Sequence, residues 1–454
     1  MFRISAIAAL AACCGVSAAA PDVICGALVD VNFYGTAGNT SAYSVGTTAC
    51  NAGTTNLDWI DGTPNHPVIQ VSIFRLLDGR MEQLGISFVK HSFASLQGNA
   101  CGFGCQGGGT FSSLGVGCSD PYGAGLNGSQ TDLGPRSEIN AWNGQFVYPY
   151  TSINQTGNII FKRIQVPRVD MQSTDAIYFV EGQYTIKDEF DIANGVPYLN
   201  DEGVPTSFNN VSYKRLNVNA NGNASTTGGT MREKSAMIAW QENGLGVNTP
   251  DPDVVVTMAV VPNEGKLEVA SKATDLGDGT WRYDYAVHNQ NSHMSIGTVT
   301  VPSSGTISDY YFHDVNYHDS VDGNIDGTDW APVEGAGDIT WATTPFANDV
   351  NANAIRWGTT YNYSFVSTSA PMAGEITLGM WRDAGVSLSV AATVPSAASC
   401  AADMNGDGEL NFFDISAFLT AFGNGDASAD FTGEGEFNFF DISAFLKAFG
   451  AGCP

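Results

Sequence analysis

Short runs of alternating apolar and polar residues, separated by Gly, Asn, Asp and Pro, fill the chain from residue 21 to about residue 395. Clear examples are 158–166 (NIIFKRIQV), 176–186 (AIYFVEGQYTI) and 254–261 (VVVTMAVV). Alternation of this kind places every second side chain on one face, which indicates half-buried strands. The pattern therefore predicts a mainly β body of the sandwich or barrel class.

The body divides into two predicted domains. Residues 21–265 are expected to form an all-β domain of unknown function, and residues 266–391 an immunoglobulin-like β-sandwich, because seven short strands in about 125 residues are typical of that fold. Tyr361, near the start of one of these strands, predicts a tyrosine corner, in which the hydroxyl bonds back to upstream backbone. The seven strands are predicted at 281–288, 297–302, 307–313, 339–342, 354–358, 361–368 and 375–381.

A different pattern follows a short linker at 392–399. Residues 403–419 (DMNGDGELNFFDISAFL) align with residues 430–446 (DFTGEGEFNFFDISAFL), and FFDISAFL is identical in both copies. This is an internal duplication in which each copy is an acidic loop followed by a helix. The helical spacing of the apolar residues predicts that the small core contains Phe418, Leu419, Phe422, Phe445, Leu446 and Phe449.

Oxygen-bearing residues fall at alternate positions of each acidic loop, where a tight turn directs every second side chain inward, and Gly408 and Gly435 permit the turn. The pattern predicts two Ca²⁺ sites. Because Thr432 is a poorer ligand than Asn and Glu434 is longer than Asp, the second site is predicted to be the weaker. The predicted ligands are Asp403, Asn405, Asp407, the Glu409 carbonyl, Asn411 and Asp414, then Asp430, Thr432, Glu434, the Glu436 carbonyl, Asn438 and Asp441.

At these residues the tail, about 400–454, resembles a type I dockerin, close to the variant that ends in Gly-Cys. The resemblance implies two Ca²⁺-loaded loops, one helix after each, and docking onto a cohesin-like protein partner. Cellulosomal dockerins usually carry small polar residues at loop positions 10 and 11, where this chain has a Phe pair in each repeat. We interpret Phe412 and Phe439 as an apolar docking face, with burial in the core as the alternative.

Composition narrows the classes of partner. The chain has 46 acidic and 19 basic residues, a net charge of −27. This balance argues against nucleic acid and against anionic membrane surfaces, both of which require clustered Lys and Arg. The tail alone carries nine acidic residues and one Lys. Its loops are expected to repel themselves when empty, so Ca²⁺ binding is expected to couple to folding.

The first 20 residues are predicted to be a signal peptide, because Arg3 precedes an apolar run and small residues follow. The protein is therefore expected to be secreted or extracellular, and a lipid anchor at Cys13 is the less favoured alternative. Export permits disulfides. Cys400 and Cys453 bracket the tail and are the predicted pair, and Cys25 with Cys50 is a second plausible pair. The Gly-rich loop with Cys101, Cys105 and Cys118 is expected to be a disulfide staple rather than a zinc site.

The sequence of the body gives only weak indications of catalysis, metal binding or sugar binding. A Cys/His or carboxylate pair could be drawn from His66, His91, Cys118, Asp120, Arg136 and Glu138, but their spacing requires neither, and a disulfide cysteine among hydrogen-bonded loop residues is favoured. Asp322, Asn324 and Asp326 suggest a Ca²⁺ loop or, preferably, a solvated acidic turn. Burial is favoured over a sugar-binding face for Trp281, Trp330, Trp341, Trp357 and Trp381.

Two functional hypotheses follow. The first is an exported modular protein whose Ca²⁺-binding tail anchors a β-rich body to a partner or the cell surface. The alternative is a dockerin-bearing hydrolase that cleaves O-glycosyl bonds during polysaccharide catabolism, which rests on the association of dockerins with such enzymes rather than on a site. Paired carboxylates about 5–10 Å apart in an aromatic groove would favour the hydrolase.

Overall fold

The computed structural model describes residues 20–149, 156–318, 325–396, 401–405 and 409–452. The predicted leader with Cys13, the Asp322 and Asn324 positions, Cys400, Asp407, Gly408 and Cys453 lie outside these residues. The chain is mainly β with a small helical region at the C-terminal end, as the pattern predicts. Among the residues described, no helix combines the length and the apolar character needed to cross a membrane.

Among the residues described, the first half of the body contains fifteen strands and two short α-helices. The strands are β1 Val23–Ala37, β2 Thr40–Asn51, β3 Leu57–Asp58, β4 Val68–Leu77, β5 Arg80–Ile86, β6 Val89–His91, β7 Ser113–Leu114, β8 Ser119–Tyr122, β9 Leu133–Gly134, β10 Ile164–Pro167, β11 Ile177–Thr185, β12 Phe190–Asp191, β13 Val196–Pro197, β14 Val211–Val218 and β15 Ala224–Met231. The helices are α1 Ala124–Asn127 and α2 Ala236–Asn243.

In the described part of the chain, the second half of the body contains ten strands and the tail contains two helices. The strands are β16 Val255–Val261, β17 Gly265–Asp275, β18 Trp281–Asn289, β19 Ile296–Pro302, β20 Ile307–His313, β21 Pro332–Glu334, β22 Asp338–Ala342, β23 Thr359–Ser367, β24 Pro371–Met380 and β25 Ser387–Pro395. The helices are α3 Phe412–Asn424 and α4 Phe439–Ala451. Single 3₁₀ turns occur at Gln130–Asp132, Arg136–Glu138, Arg168–Met171, Lys187–Glu189, Thr206–Phe208 and Ala427–Ala429.

Two antiparallel sheets form the first sandwich. One has the order β15-β14-β11-β4-β6-β9 with β5 also paired to β4, and the other has the order β1-β2-β10 with β8 also paired to β2. Apolar side chains of β2, β4 and β11 meet between the sheets, among them Tyr43, Ile73 and Tyr184, which are fully buried. The alternating pattern thus gives each sheet one apolar face that is buried against the other sheet.

The second sandwich has two five-stranded sheets, β16-β17-β18-β23-β20 and β21-β22-β19-β24-β25. Their inner faces share a core that includes Val269, Tyr285, Val299 and Leu378. The predicted tyrosine corner is confirmed, because the Tyr361 hydroxyl lies 3.1 Å from the carbonyl oxygen of Ala354. That bond fixes the chain at the point where it enters β23.

Four boundary predictions are wrong. The region 354–358 contributes a single bridge from Ile355 rather than a strand, because it turns at Gly358, which has φ 71°. In 158–166 only the end is a strand, since Lys162 has φ 63° and breaks the extended chain. The second sandwich begins at β16 rather than at residue 266, because β16 pairs along its length with β17. Strand β25 likewise extends past residue 392, where the linker was predicted.

The two sandwiches form one packed body through strand β5. Its Gln83 side chain accepts a hydrogen bond from the Thr360 backbone at 2.8 Å and donates to the Gly358 carbonyl at 3.0 Å. Asn362 donates to the Met81 carbonyl at 2.8 Å, and Arg80 pairs with Asp284 at 2.6 Å. The sequence analysis predicted two separate domains, and no motif in either segment indicated this polar junction.

The disulfides differ from one of the predicted pairs. Cys50 bonds Cys101, Cys105 bonds Cys118, and Cys25 is a buried free thiol. A Cys25–Cys50 bond is wrong because Cys25 lies opposite Ala49 in the β1–β2 register, so its side chain is on the other face of the sheet from that of Cys50. The cysteine-rich loop is a staple, as expected.

The tail has a small core of its own, centred on two equivalent Phe residues. The rings of Phe418 and Phe445 stack with centroids 4.0 Å apart and planes 1° apart, and Phe431 packs on both edge-on. Phe422 and Phe449 are partly buried against this core. The prediction that Leu419 and Leu446 are core residues is wrong, because they are 55% and 53% exposed. Each follows a buried Phe by one residue, which turns it about 100° around the helix toward solvent.

Candidate functional site

The acidic loops of the tail are built around two buried carboxylates at the start of the helices. Asp414 and Asp441 are fully buried, and each is the third residue of its helix. Oδ2 of Asp414 accepts from the Asn411 backbone N–H at 2.9 Å, and Oδ2 of Asp441 accepts from the Asn438 N–H at 2.9 Å. These bonds hold the pKa of both carboxyls below the ordinary value, so both are ionised at neutral pH.

The same two Asn residues cap the helices, a role that the sequence analysis missed. Oδ1 of Asn411 accepts from the Phe413 N–H at 2.8 Å, and Oδ1 of Asn438 accepts from the Phe440 N–H at 2.7 Å. With the Asp three residues later, each Asn forms a capping box. The spacing Asn-x-x-Asp before an apolar helix was the available signal. The predicted ligands Asn411 and Asn438 thus also fix where each helix starts.

A second carboxylate meets each buried one. The Asp403 side chain contacts Asp414 in the first repeat, and Asp430 contacts Asp441 in the second. In the second repeat the Thr432 hydroxyl lies 2.8 Å from Oδ1 of Asp441 and 3.5 Å from Oδ1 of Asp430. The structure therefore brings together three of the predicted ligands of this loop, including two carboxyl groups.

The turn of the second loop depends on its glycines. Gly433 and Gly435 have φ of 72° and 79° and donate their N–H groups to Asp430 at 2.8 and 2.7 Å. Glu434 accepts a hydrogen bond from the Asn438 amide. Among the described residues, no set of three or more His, Cys, Asp or Glu is gathered as a metal site. The paired carboxylates and hydroxyl oxygen nevertheless supply the hard oxygen donors that Ca²⁺ requires.

An apolar face lies on the outer side of both helices, next to the loops. Phe412 and Phe439 are 73% and 74% exposed, and Phe413 and Phe440 are exposed as well. Leu419 and Leu446 follow Phe412 and Phe439 by seven residues, which places them on the same face of each helix. We call the set Phe412, Phe413, Leu419, Phe439, Phe440 and Leu446 the outer apolar face. The core alternative for the Phe pairs is wrong.

The candidate catalytic residues of the body belong to separate networks. Cys118 is in a disulfide and is not a nucleophile. His66 and His91 do meet, with Nε2 and Nδ1 2.8 Å apart, and burial lowers their pKa to about 4 and about 2. Asp120 accepts from the Leu96 N–H at 2.7 Å. Arg136 donates to the Ser87 carbonyl at 2.8 Å, and its neighbour Glu138 ends the same 3₁₀ turn. This placement favours the structural interpretation of these residues.

The aromatic residues of the second sandwich do not form a sugar platform. Trp330, Trp341, Trp357 and Trp381 are buried, and Trp281 is half-buried. The indole of Trp330 donates to the Asn353 carbonyl at 2.6 Å. Asp326, the described member of the third candidate Ca²⁺ loop, accepts from Thr328, as in an ordinary polar turn.

The buried carboxyl of Asp120 gives the body a testable pH response. Burial raises its pKa to about 7, well above the unfolded value. Its stabilising contribution is therefore complete below about pH 4 and is lost as the pH rises through about 7. We expect Asp120→Asn, which keeps an acceptor for Leu96, to remove this loss. From pH 4 to pH 8 the wild type should lose on the order of 3 kcal/mol relative to the variant.

Urea unfolding followed by tryptophan fluorescence measures this difference, because all eight tryptophans lie in the body. Asp30→Asn, at an exposed position, controls for the loss of one negative charge. A stability difference between wild type and Asp120→Asn that is the same at pH 4 and pH 8 would contradict the assignment.

Comparison with known proteins adds little. No protein-family model matches the chain, and no curated protein matches it. A solved structure from a study of the inhibition of an exo-β-D-glucosaminidase is similar at 12% identity and a TM-score of 0.14, over 78% of this chain. The chain spans 25% of that protein's length. A likeness this distant carries no argument about fold or activity.

Proposed function

We propose that this is an exported modular protein whose dockerin-like tail binds two Ca²⁺ ions and docks the β-rich body onto a protein partner of cohesin-like or other cell-surface type. The observation that carries the proposal is the outer apolar face, repeated on both helices directly beside the acidic loops. Apolar residues exposed this fully on so small a module mark a surface that is covered in a complex.

Calcium has a defined place in this proposal. The pairs Asp403–Asp414 and Asp430–Asp441 each bring two carboxylates into contact, and the tail offers them a single Lys. A divalent cation shared by the two carboxyl groups of each pair fixes the loops beside the first turns of the helices. Because the exposed Phe pairs are the first residues of those helices, ordering the loops also orders the docking face. The second ion is expected to bind more weakly, because Thr432 is a poorer ligand than Asn and Glu434 is longer than Asp.

In this proposal the tail holds the body at the protein partner. The hydrolase alternative is not favoured, because four of the five tryptophans considered for a saccharide-binding face are buried in the second sandwich, as was favoured from the sequence. A polysaccharide remains a candidate ligand for other surfaces of the body. In this proposal docking is the role of the tail, and any ligand of the body binds independently of it.

The double variant F412S/F439S tests the docking face. We expect it to lose capture of the partner in a pull-down of the full chain against the cell-surface fraction, with calcium present. Phe412 and Phe439 lie outside the tail core, so Ca²⁺ uptake and helix content should remain unchanged. Phe111→Ser, at a 71% exposed position of the body, is the matched control. Capture by the double variant at the wild-type level, or capture that survives a chelator, would contradict the proposal.

A further inference from the structure

Two arginines of the second sandwich share one cavity between the sandwiches. Arg356 and Arg382 both lie against the indole of Trp381, with Cζ 4.4 and 5.5 Å from its ring centroid. Arg382 also lies over Phe346 at 5.0 Å. The aromatic faces hold the two guanidinium groups in place. The lining of the cavity also includes a third arginine, Arg136, together with His293, Ser295, Tyr317 and Trp357.

Among the residues that the structure describes, neither arginine is hydrogen-bonded to an acidic side chain. Across the described residues, neither guanidinium forms an ion pair. Arg356 donates to the Val350 and Ala352 carbonyls at 3.1 Å, and its Nε is buried without a hydrogen bond. Arg382 uses Nε to reach the His293 carbonyl at 2.8 Å. In a chain with 46 acidic and only 19 basic residues, two adjacent unpaired arginines are an unexpected arrangement.

Glu264, the acidic residue whose charge acts on Arg382, already has hydrogen-bonding partners. Glu264 accepts from the Ser292 hydroxyl at 2.9 Å and from the His293 N–H at 3.0 Å. Burial raises the pKa of Glu264 to about 7, so its negative charge is incomplete at neutral pH. Burial, together with the charge of Arg356, lowers the pKa of Arg382. Among the described residues no ion pair neutralises the two positive charges, so an oxyanion that enters the cavity gains two cationic hydrogen-bond donors.

The shape of the cavity limits what that ligand is. The arginine end has a volume of about 20 Å³, enough for one small polar group but not for a sugar ring. It adjoins a groove of about 480 Å³ that shares Ser137, Ile139 and His293 with it and is also lined by Asn65, Asn140, one carboxylate residue, Glu138, and one cationic residue, Lys187. A ligand with one anionic group and a polar remainder fits this combination.

We infer that Arg356 and Arg382 bind the oxyanion group, a carboxylate or a sulfate, of a small anionic ligand in the cavity between the two sandwiches. The planar guanidinium groups match the geometry of such oxygens and donate charge-assisted hydrogen bonds to them. The adjoining groove accommodates the rest of the ligand when that group is carried by an acidic sugar. The site belongs to the body and is independent of the calcium-dependent tail.

Calorimetric titration of the full chain with sodium glucuronate, glucose, acetate and sulfate, at constant ionic strength, tests this inference. We expect glucuronate to bind and glucose not to bind, with and without a chelator. Binding of glucuronate that is tighter than that of acetate or sulfate indicates an acidic sugar in the groove. Equal binding of the three anions indicates a free oxyanion, which supports the same arginine site.

Arg356→Gln and Arg382→Gln are each expected to weaken anion binding about tenfold or more, the effect of losing one charge-assisted hydrogen bond. Arg163→Gln is the matched control, because Arg163 also lies on an aromatic ring, that of Tyr34. Arg356→Lys and Arg382→Lys keep the charge and should retain weakened binding if a Gln variant fails to fold. The inference is overturned if no anion binds, or if folded Gln variants bind as tightly as the wild type.

Discussion

Replacing Asp414 by Ala is expected to abolish Ca²⁺ binding at the first loop and to unfold α3, because this carboxylate has two roles. It closes the predicted coordination sphere, and it completes the capping box through its bond to the Asn411 N–H. Loss of a helix cap alone costs about 1 kcal/mol, and loss of a structural metal costs considerably more. Hydrogen exchange of the peptides that cover α3 and α4, with calcium present, measures the result.

The matching substitution Asp441→Ala is the internal control for the ranking of the two sites. It removes an equivalent buried carboxylate, with hydrogen bonds from Asn438 and Thr432. Because the second loop has the poorer donor set, less Ca²⁺-derived stability is available to lose there. Asp403→Ala and Asp430→Ala should follow the same order. Equal losses from the first-loop and second-loop variants would refute the ranking.

Replacing Arg136 by Met is expected to destabilise the body by about 3 kcal/mol or more, because it leaves several buried acceptors without their donor, at about 1–3 kcal/mol each. The guanidinium donates to the Ser87 carbonyl at 2.8 Å, to Oε1 of Gln70 at 2.5 Å, and across the junction to the Gly358 carbonyl at 3.1 Å. A Met side chain fills much of the space but leaves Ser87 and Gln70 acceptors without this donor. Urea unfolding followed by tryptophan fluorescence reports the loss.

Two further variants test whether the loss of stability comes from the junction between the sandwiches. Gly358→Ala should also destabilise, since its Cβ would lie 2.7 Å from Arg136 Nη1 and the residue has φ 71°. Arg163→Met, which removes an arginine that lies outside the junction, should cost about 1 kcal/mol or less. A loss of less than 1 kcal/mol from Arg136→Met would show that the junction does not hold the two sandwiches together.

The sequence predicted those features that depend on local periodicity. The alternation in 176–186 and 254–261 corresponds to β11 and β16, and the spacing around Phe418 and Phe445 identifies the centre of the tail core. Leu419 and Leu446 were misplaced, because an amphipathic helix with apolar residues on more than one side does not reveal which side is covered. In this tail, the uncovered side is the proposed docking face.

Features that depend on distant contacts were not predictable. The partner of Cys50 is Cys101 rather than Cys25, and that choice follows from which face of β2 the side chain occupies. In the sequence, Arg136 is one of several polar loop residues. Its role in joining the two sandwiches depends on a hydrogen bond to Gly358, which is distant in the chain. Arg356 and Arg382 are neighbours only because both pack on Trp381.

Calcium titration of the full chain, read by native mass spectrometry together with hydrogen exchange, tests whether the tail folds around calcium. We expect uptake of two ions, with slowed exchange in α3 and α4 and no change in the peptides of either sandwich. A tail that takes up no metal, and whose helices exchange at the same rate in calcium and in chelator, would contradict this expectation.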